Sequence, residues 1–160
     1  MSCKEEFIEI FKEKITRPGA DALLNYLENK SDFFTAPASA RYHLACEGGL
    51  CEHSLNVYHC LVDYLQRERV QELYGLEYSE ESVAVVALLH DLCKANFYKK
   101  GTRNVKNDET GKWEKVPSYS VEDMFPYGHG EKSVFLIERF MKLKVCLLYT
   151  SDAADDLIGV

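Results

Sequence analysis

The sequence predicts an all-α domain interrupted by one β-hairpin near residues 97–120. Three observations predict it. Apolar residues recur at helical spacing in five separate stretches. One seven-residue run, Val83 to Leu89, is apolar throughout, as the buried central helix of a bundle is. Between 97 and 120 the pattern changes to strand-compatible residues, with Phe97, Tyr98, Val105, Trp113, Val116 and Tyr119 on either side of a turn at Asn107-Asp108-Glu109-Thr110-Gly111. At 160 residues the chain is long enough for one domain with a real core.

The elements follow in order. Residues 3–15 place Phe7, Ile8, Ile10, Phe11 and Ile15 at helical spacing. Arg17-Pro18-Gly19 breaks that helix, and Pro18 suits the first turn of a second one running through Leu23, Leu24 and Leu27. Residues 31–49 read as irregular, punctuated by Pro37 and Gly48-Gly49. A long helix is expected from Leu50 to about Glu72. Ser79 is the expected N-cap of the central helix, with Ser82 three positions on where a capping box would place Glu. After the hairpin, a helix resumes near Gly130 and carries Val134, Phe135, Ile137, Phe140 and Met141.

No apolar run approaches the length of a membrane span, and acidic residues stand where a secretory leader would have its apolar stretch, so a cytoplasmic protein is expected. The six cysteines form no C-x-x-C pair and read as buried thiols of a reducing compartment. A net charge of −7 argues against a broad, passive nucleic-acid surface. The charge is uneven, however: seven basic residues face three acids between Lys94 and Val116.

The chemistry concentrates in His53, His90-Asp91 and His129, each beside a helical segment. Three imidazoles and a carboxylate suit a divalent ion such as zinc, iron, manganese, cobalt or nickel. Asp91 follows seven apolar residues, where a carboxylate is costly to bury unless paired or metal-bound. His129 sits between two glycines that permit close backbone approach; its alternative is an exposed turn histidine. Lys94, one helical turn after Asp91, either meets a substrate phosphate or pairs with Asp91. His43 either contacts substrate or orients a ligand. His59 falls on roughly the opposite helix face from His53 and is not expected to be a ligand.

The order His53, His90-Asp91, His129 resembles the HD-domain superfamily of metal-dependent phosphohydrolases, and more closely a group of small bacterial and phage members. Ser31 to Ser39, Tyr42-His43-Leu44, Gly48-Gly49-Leu50, His53 to Tyr58, Leu88 to Lys94 and Gly128 to Ser133 carry the resemblance, which covers about residues 7–145. It implies an HD-domain helical bundle with His53, His90, Asp91 and His129 as metal ligands and Asp91 bridging two metals in the complete protein. It implies a cofactor of one or two divalent ions (Mn, Fe, Zn, Co, Ni or Mg). Lys94 and His43 would meet the substrate. It also implies an incomplete set, because members of this pattern add another His and a final Asp on later helices. Residues 146–160 resemble the translation of a transposase-end sequencing adapter, so 1–145 is expected to be the N-terminal part of the domain and 146–160 a non-native tail. Without that tail the charge is −4, since it holds three acids and no base.

The expected function is metal-assisted hydrolysis of a phosphate ester in a nucleotide or nucleic acid, with a metal-activated water as nucleophile. A nucleotide-binding or interaction module without turnover is the rival from another class. Oxidative chemistry at a di-iron pair, which some HD relatives support, is a third.

Overall fold

The computed structural model describes residues 1–108, 110–121, 127–144 and 147. Six α-helices and a two-stranded antiparallel hairpin make up these residues: α1 (Cys3–Lys14), α2 (Ala20–Asn29), α3 (Gly49–Gln66), α4 (Glu68–Tyr74), α5 (Glu80–Leu89), β1 (Tyr98–Lys106), β2 (Trp113–Val121) and α6 (His129–Glu138). A 3-10 turn, Leu92–Lys94, joins α5 to the hairpin. The fold is mostly helical, as expected, and the hairpin falls where the pattern changed. Among the described residues no helix is long and apolar enough to cross a membrane.

Helix α1 starts at a reciprocal cap. The Glu5 backbone N–H donates to the Ser2 hydroxyl, and the Ser2 N–H donates to the Glu5 carboxylate at 2.8 Å. Its buried face presents Phe7 and Phe11. Phe7 packs at 5.0 Å from the Phe33 ring and edge-on to Phe34 at 5.4 Å. Helix α5 is the centre, packing against α3 and α1, with Ala84, Ala87, Leu88 and Leu89 fully buried. Ser79 caps it by accepting the Ser82 backbone N–H at 3.2 Å. Leu23 and Leu27 of α2, Leu50 of α3, Ile137 of α6 and Met141 complete the core.

Two expectations are corrected. Helix α2 begins at Ala20, not in the turn at Pro18, because Gly19 adopts a left-handed φ of 95° and becomes the N-cap. A side chain at Gly19 would place Cβ 1.9 Å from the Phe140 carbonyl oxygen, so only glycine fits this approach. The long helix from Leu50 breaks at Arg67, which is extended (φ −67°, ψ 124°). The Gln71 side-chain amide holds the break by donating to the carbonyls of Leu65 and Leu76.

The hairpin register is unbroken from Tyr98 opposite Val121 to Lys106 opposite Trp113. The Asn107 N–H donates to the Lys112 carbonyl at 2.8 Å and closes the predicted turn. Of the expected tail 146–160, only Leu147 is among the described residues. It is 7% exposed and belongs to the core cluster.

Candidate metal centre

His53, His90, Asp91, Lys94 and His129 each lie at or near the end of a helix, and His43 lies in the loop that leads into α3. Gly48, with φ 78°, turns the chain into α3, and a side chain on Gly49 would sit 2.1 Å from the Leu44 carbonyl oxygen. The loop carrying His43 therefore lies directly on the start of α3. The rings of His43 and His53 are 5.0 Å apart. His90 caps the C-terminus of α5, and Asp91 leaves helical geometry (φ −101°, ψ 21°) to enter the 3-10 turn. The hydrophobic run of α5 thus carries His90 and Asp91 into the interior, where Asp91 is 7% exposed.

Three donor atoms converge. His53 Nε2 and His90 Nε2 lie 3.1 Å apart, and each is 3.3 Å from Asp91 Oδ2. First-row metal bonds of about 2.0–2.1 Å, at ordinary coordination angles, separate neighbouring donors by about 2.9–3.4 Å. The triangle matches that spacing, and its imidazole and carboxylate donors suit a divalent ion. His90 Nδ1 lies 2.9 Å from the Ala87 carbonyl, which orients the ring so that Nε2 faces the other donors.

A second group shares the same carboxylate: Asp91, Cys93 and His129 also bring ligand atoms within 4.8 Å of one another. Helix α6 is held here because it packs on the 3-10 turn, where the Cys93 N–H donates to the Ser133 hydroxyl at 3.1 Å. The Phe97 ring meets the His129 ring edge-on at 5.9 Å. Cys93 is a free buried thiol whose pKa is pushed up to about 11, chiefly by burial and against the opposing Ser133 hydrogen bond. It is neutral at pH 7 unless a metal displaces its proton.

The electrostatics centre on Asp91. Burial alone pushes its carboxyl up. The hydrogen bonds from His53 and His90, with the charges of His90 and Lys94, outweigh burial and hold it well below the usual carboxylate range. Burial acts on His90 in the opposite sense, lowering its pKa, but its hydrogen bond to Asp91 and the Asp91 charge win, so the net direction is up. Lys94 Nζ donates to Asp91 Oδ2 at 2.8 Å, the same oxygen that faces both imidazoles. His43 is exposed, and partial desolvation followed by the nearby His53 lowers its pKa.

The structure therefore brings His53, His90, Asp91 and Lys94 together, groups His129 with Asp91 and Cys93, and stands His43 beside His53. His59 points elsewhere and pairs with Glu6 at 2.8 Å. Cys93 was missed. Its spacing to Asp91 matches no usual zinc pattern, and only the 3-10 turn after Asp91 brings its sulfur back to the carboxylate.

The chain is 33% identical over 97 residues to the dihydroneopterin 2',3'-cyclic phosphate phosphodiesterase of Methanocaldococcus jannaschii. The match covers 59% of this chain and 35% of that protein, so the chain spans about a third of the length of the relative it matches. No family model and no solved structure matches the chain.

Proposed function

We propose that this chain belongs to an HD-type metal-dependent phosphohydrolase and cleaves a phosphate ester of a nucleotide or nucleic acid. The observation that carries the proposal is the donor triangle of His53, His90 and Asp91, joined through Asp91 to the group containing His129. The similarity to a cyclic phosphate phosphodiesterase supports the reaction class and favours a phosphodiester over a monoester. Because the match spans a minor part of that relative, the activity of any longer protein is part of the same proposal.

In this reading His53, His90, Asp91 and His129 hold the metal, and Cys93 is a further donor beside them. Asp91 belongs to both groups, and in this reading it serves two metal positions. A bound divalent metal supplies Lewis acidity, polarising a phosphoryl oxygen and acidifying water. Lys94 holds a positive charge beside Asp91, where a phosphate oxygen would approach. His43 stands at the open edge of the cluster, and its lowered pKa keeps it neutral at pH 7, able to hydrogen-bond a substrate. Residues 1–145 form the domain in this reading, and 146–160 are an adapter-derived tail.

The test is hydrolysis of bis(p-nitrophenyl) phosphate and of 2',3'-cyclic nucleotides by the chain loaded in turn with Mn, Fe, Co, Ni, Zn and Mg. Product release that needs metal and is abolished by His90→Ala is the expected result. Failure with every metal, together with nucleotide binding that Asp91→Ala leaves intact, replaces this reading with the non-catalytic module. An oxygen requirement would move the chemistry to a di-iron pair.

A further inference from the structure

Between Tyr98 and Val121 the hairpin carries six basic residues against three acids, although the whole chain is −7. Positive charge is therefore concentrated on this one arm of an otherwise acidic protein. The unbroken register sorts its side chains into two faces. One face holds Tyr98, Lys100, Lys106, Trp113, Lys115 and Tyr119. The other holds no aromatic residue, only Arg103, Val105, Glu114, Val116 and small or charged neighbours. All the aromatics of the two strands thus share a face with half of the basic residues. Trp113 is 70% exposed, so it is not packing the arm to the core.

Two contacts show which way this face looks. The Tyr98 hydroxyl donates to the Ala38 carbonyl at 3.3 Å, and Lys100 Nζ pairs with Glu47 at 3.2 Å. Ala38 and Glu47 belong to the loop between α2 and α3 that also carries His43, the residue beside His53. The aromatic and basic face therefore runs outward from the open edge of the Asp91 cluster. Tyr119 and Trp113 are six strand residues apart, or about 20 Å, which is longer than a mononucleotide.

We infer that this face is a platform for single-stranded nucleic acid, with bases stacking on Tyr119 and Trp113 and phosphates meeting Lys106 and Lys115. The inference rests on the phosphohydrolase reading and narrows its substrate to an oligonucleotide. Stacking on the exposed Trp113 ring and the half-buried Tyr119 ring requires unpaired bases and tolerates any sequence, while the lysines match the charge of the backbone. The strand would lie along the hairpin and lead one phosphodiester to the cluster.

Trp113 is the sole tryptophan, so its fluorescence reports directly on this face. The experiment titrates the full chain, in chelator to separate binding from turnover, with oligo-uridine and oligo-deoxythymidine of about twelve nucleotides. Saturable quenching that weakens steeply with salt is expected. By anisotropy of labelled oligonucleotide, Tyr119→Ala and the double variant Lys106→Ala, Lys115→Ala should each bind about tenfold more weakly. Arg103→Ala, on the other face, should change binding by no more than about twofold. Absent quenching at low salt, equal affinity for a duplex, or equal losses in Tyr119→Ala and Arg103→Ala would overturn the inference. Bis(p-nitrophenyl) phosphate is too small to span the hairpin and tests the cluster alone. If it is hydrolysed while no oligonucleotide binds, the platform fails and the phosphohydrolase reading stands. If oligonucleotides bind and no ester is hydrolysed, the platform stands and the phosphohydrolase reading fails.

Discussion

Asp91→Asn keeps the shape of the side chain at the centre of the site and removes its charge. In chelator, the loss is that of a broken interior ion pair. Lys94 Nζ, at 2.8 Å, keeps only 13% side-chain exposure, and Asp91 keeps 10%. Breaking a fully buried pair costs about 3–5 kcal/mol, and the His90 ring, whose pKa Asp91 helps to raise, can shed its proton to relieve part of it, so about 2–3 kcal/mol is expected. For a domain of this size each kcal/mol moves Tm by about 2–4 °C, so the variant should melt about 5–10 °C lower. Metal then adds a second difference. At a hundredfold excess over Kd, a ligand bound only by the folded state stabilises it by about 2.7 kcal/mol. The wild-type chain should gain that amount, and Asp91→Asn should gain almost none. Melting followed by circular dichroism, with chelator and with each metal, reads both differences. An Asp91→Asn variant that melts with the wild type in chelator and responds equally to metal would show that Asp91 neither holds an interior ion pair nor binds the ion.

Away from the site, Glu81 accepts the backbone N–H groups of Thr16 and Arg17 and pairs with the Arg17 guanidinium at 3.0 Å, tying the α1–α2 turn to α5. Glu81→Ala should cost about 3 kcal/mol in urea unfolding, because it removes the acceptor of two N–H donors and leaves a nearly buried guanidinium with only the Lys142 carbonyl. The Arg17 hydrogen bond chiefly holds the Glu81 carboxyl below its ordinary 4.5. Its stabilisation is therefore present above that pH and is lost as pH falls through the depressed folded value, so Glu81→Gln should flatten the acid limb of the stability profile. Gly19→Ala should destabilise by more than about 2 kcal/mol, since Cβ meets the Phe140 carbonyl and φ is left-handed; a smaller shift in the urea midpoint would show that the turn relaxes. His43→Ala should slow ester hydrolysis at unchanged metal content, and a loss of bound metal would instead make His43 a ligand.

How far the sequence revealed this molecule depended on whether a signal was local. Helix α5 was legible because Val83 to Leu89 leaves no polar face, and burial of such a segment follows from hydrophobicity alone. The hairpin was legible from its change of period and the Asn107–Gly111 turn. The break at Arg67 was not, since no glycine or proline marks it and a side-chain amide four residues later holds it open. The start of α2 at Ala20 was equally hidden, because it depends on the approach of Phe140 from far along the chain. At the site, the family-like order of His53, His90-Asp91 and His129 pointed to residues that the fold does gather around Asp91. Cys93 escaped notice because its place beside Asp91 comes from a 3-10 turn that has no distinct residue pattern. The facing of the hairpin was hidden for the same reason: strand register, not composition, puts its aromatics on one side.

His53, His90 and Asp91 are expected to chelate a divalent metal ion. Titration with cobalt(II), followed by visible absorption, tests it most directly. Saturable d–d bands that vanish in His90→Ala and Asp91→Ala are expected, with a thiolate charge-transfer band if Cys93 joins the set. Spectra no different from free cobalt in the wild-type chain, or unchanged in both variants, would contradict it.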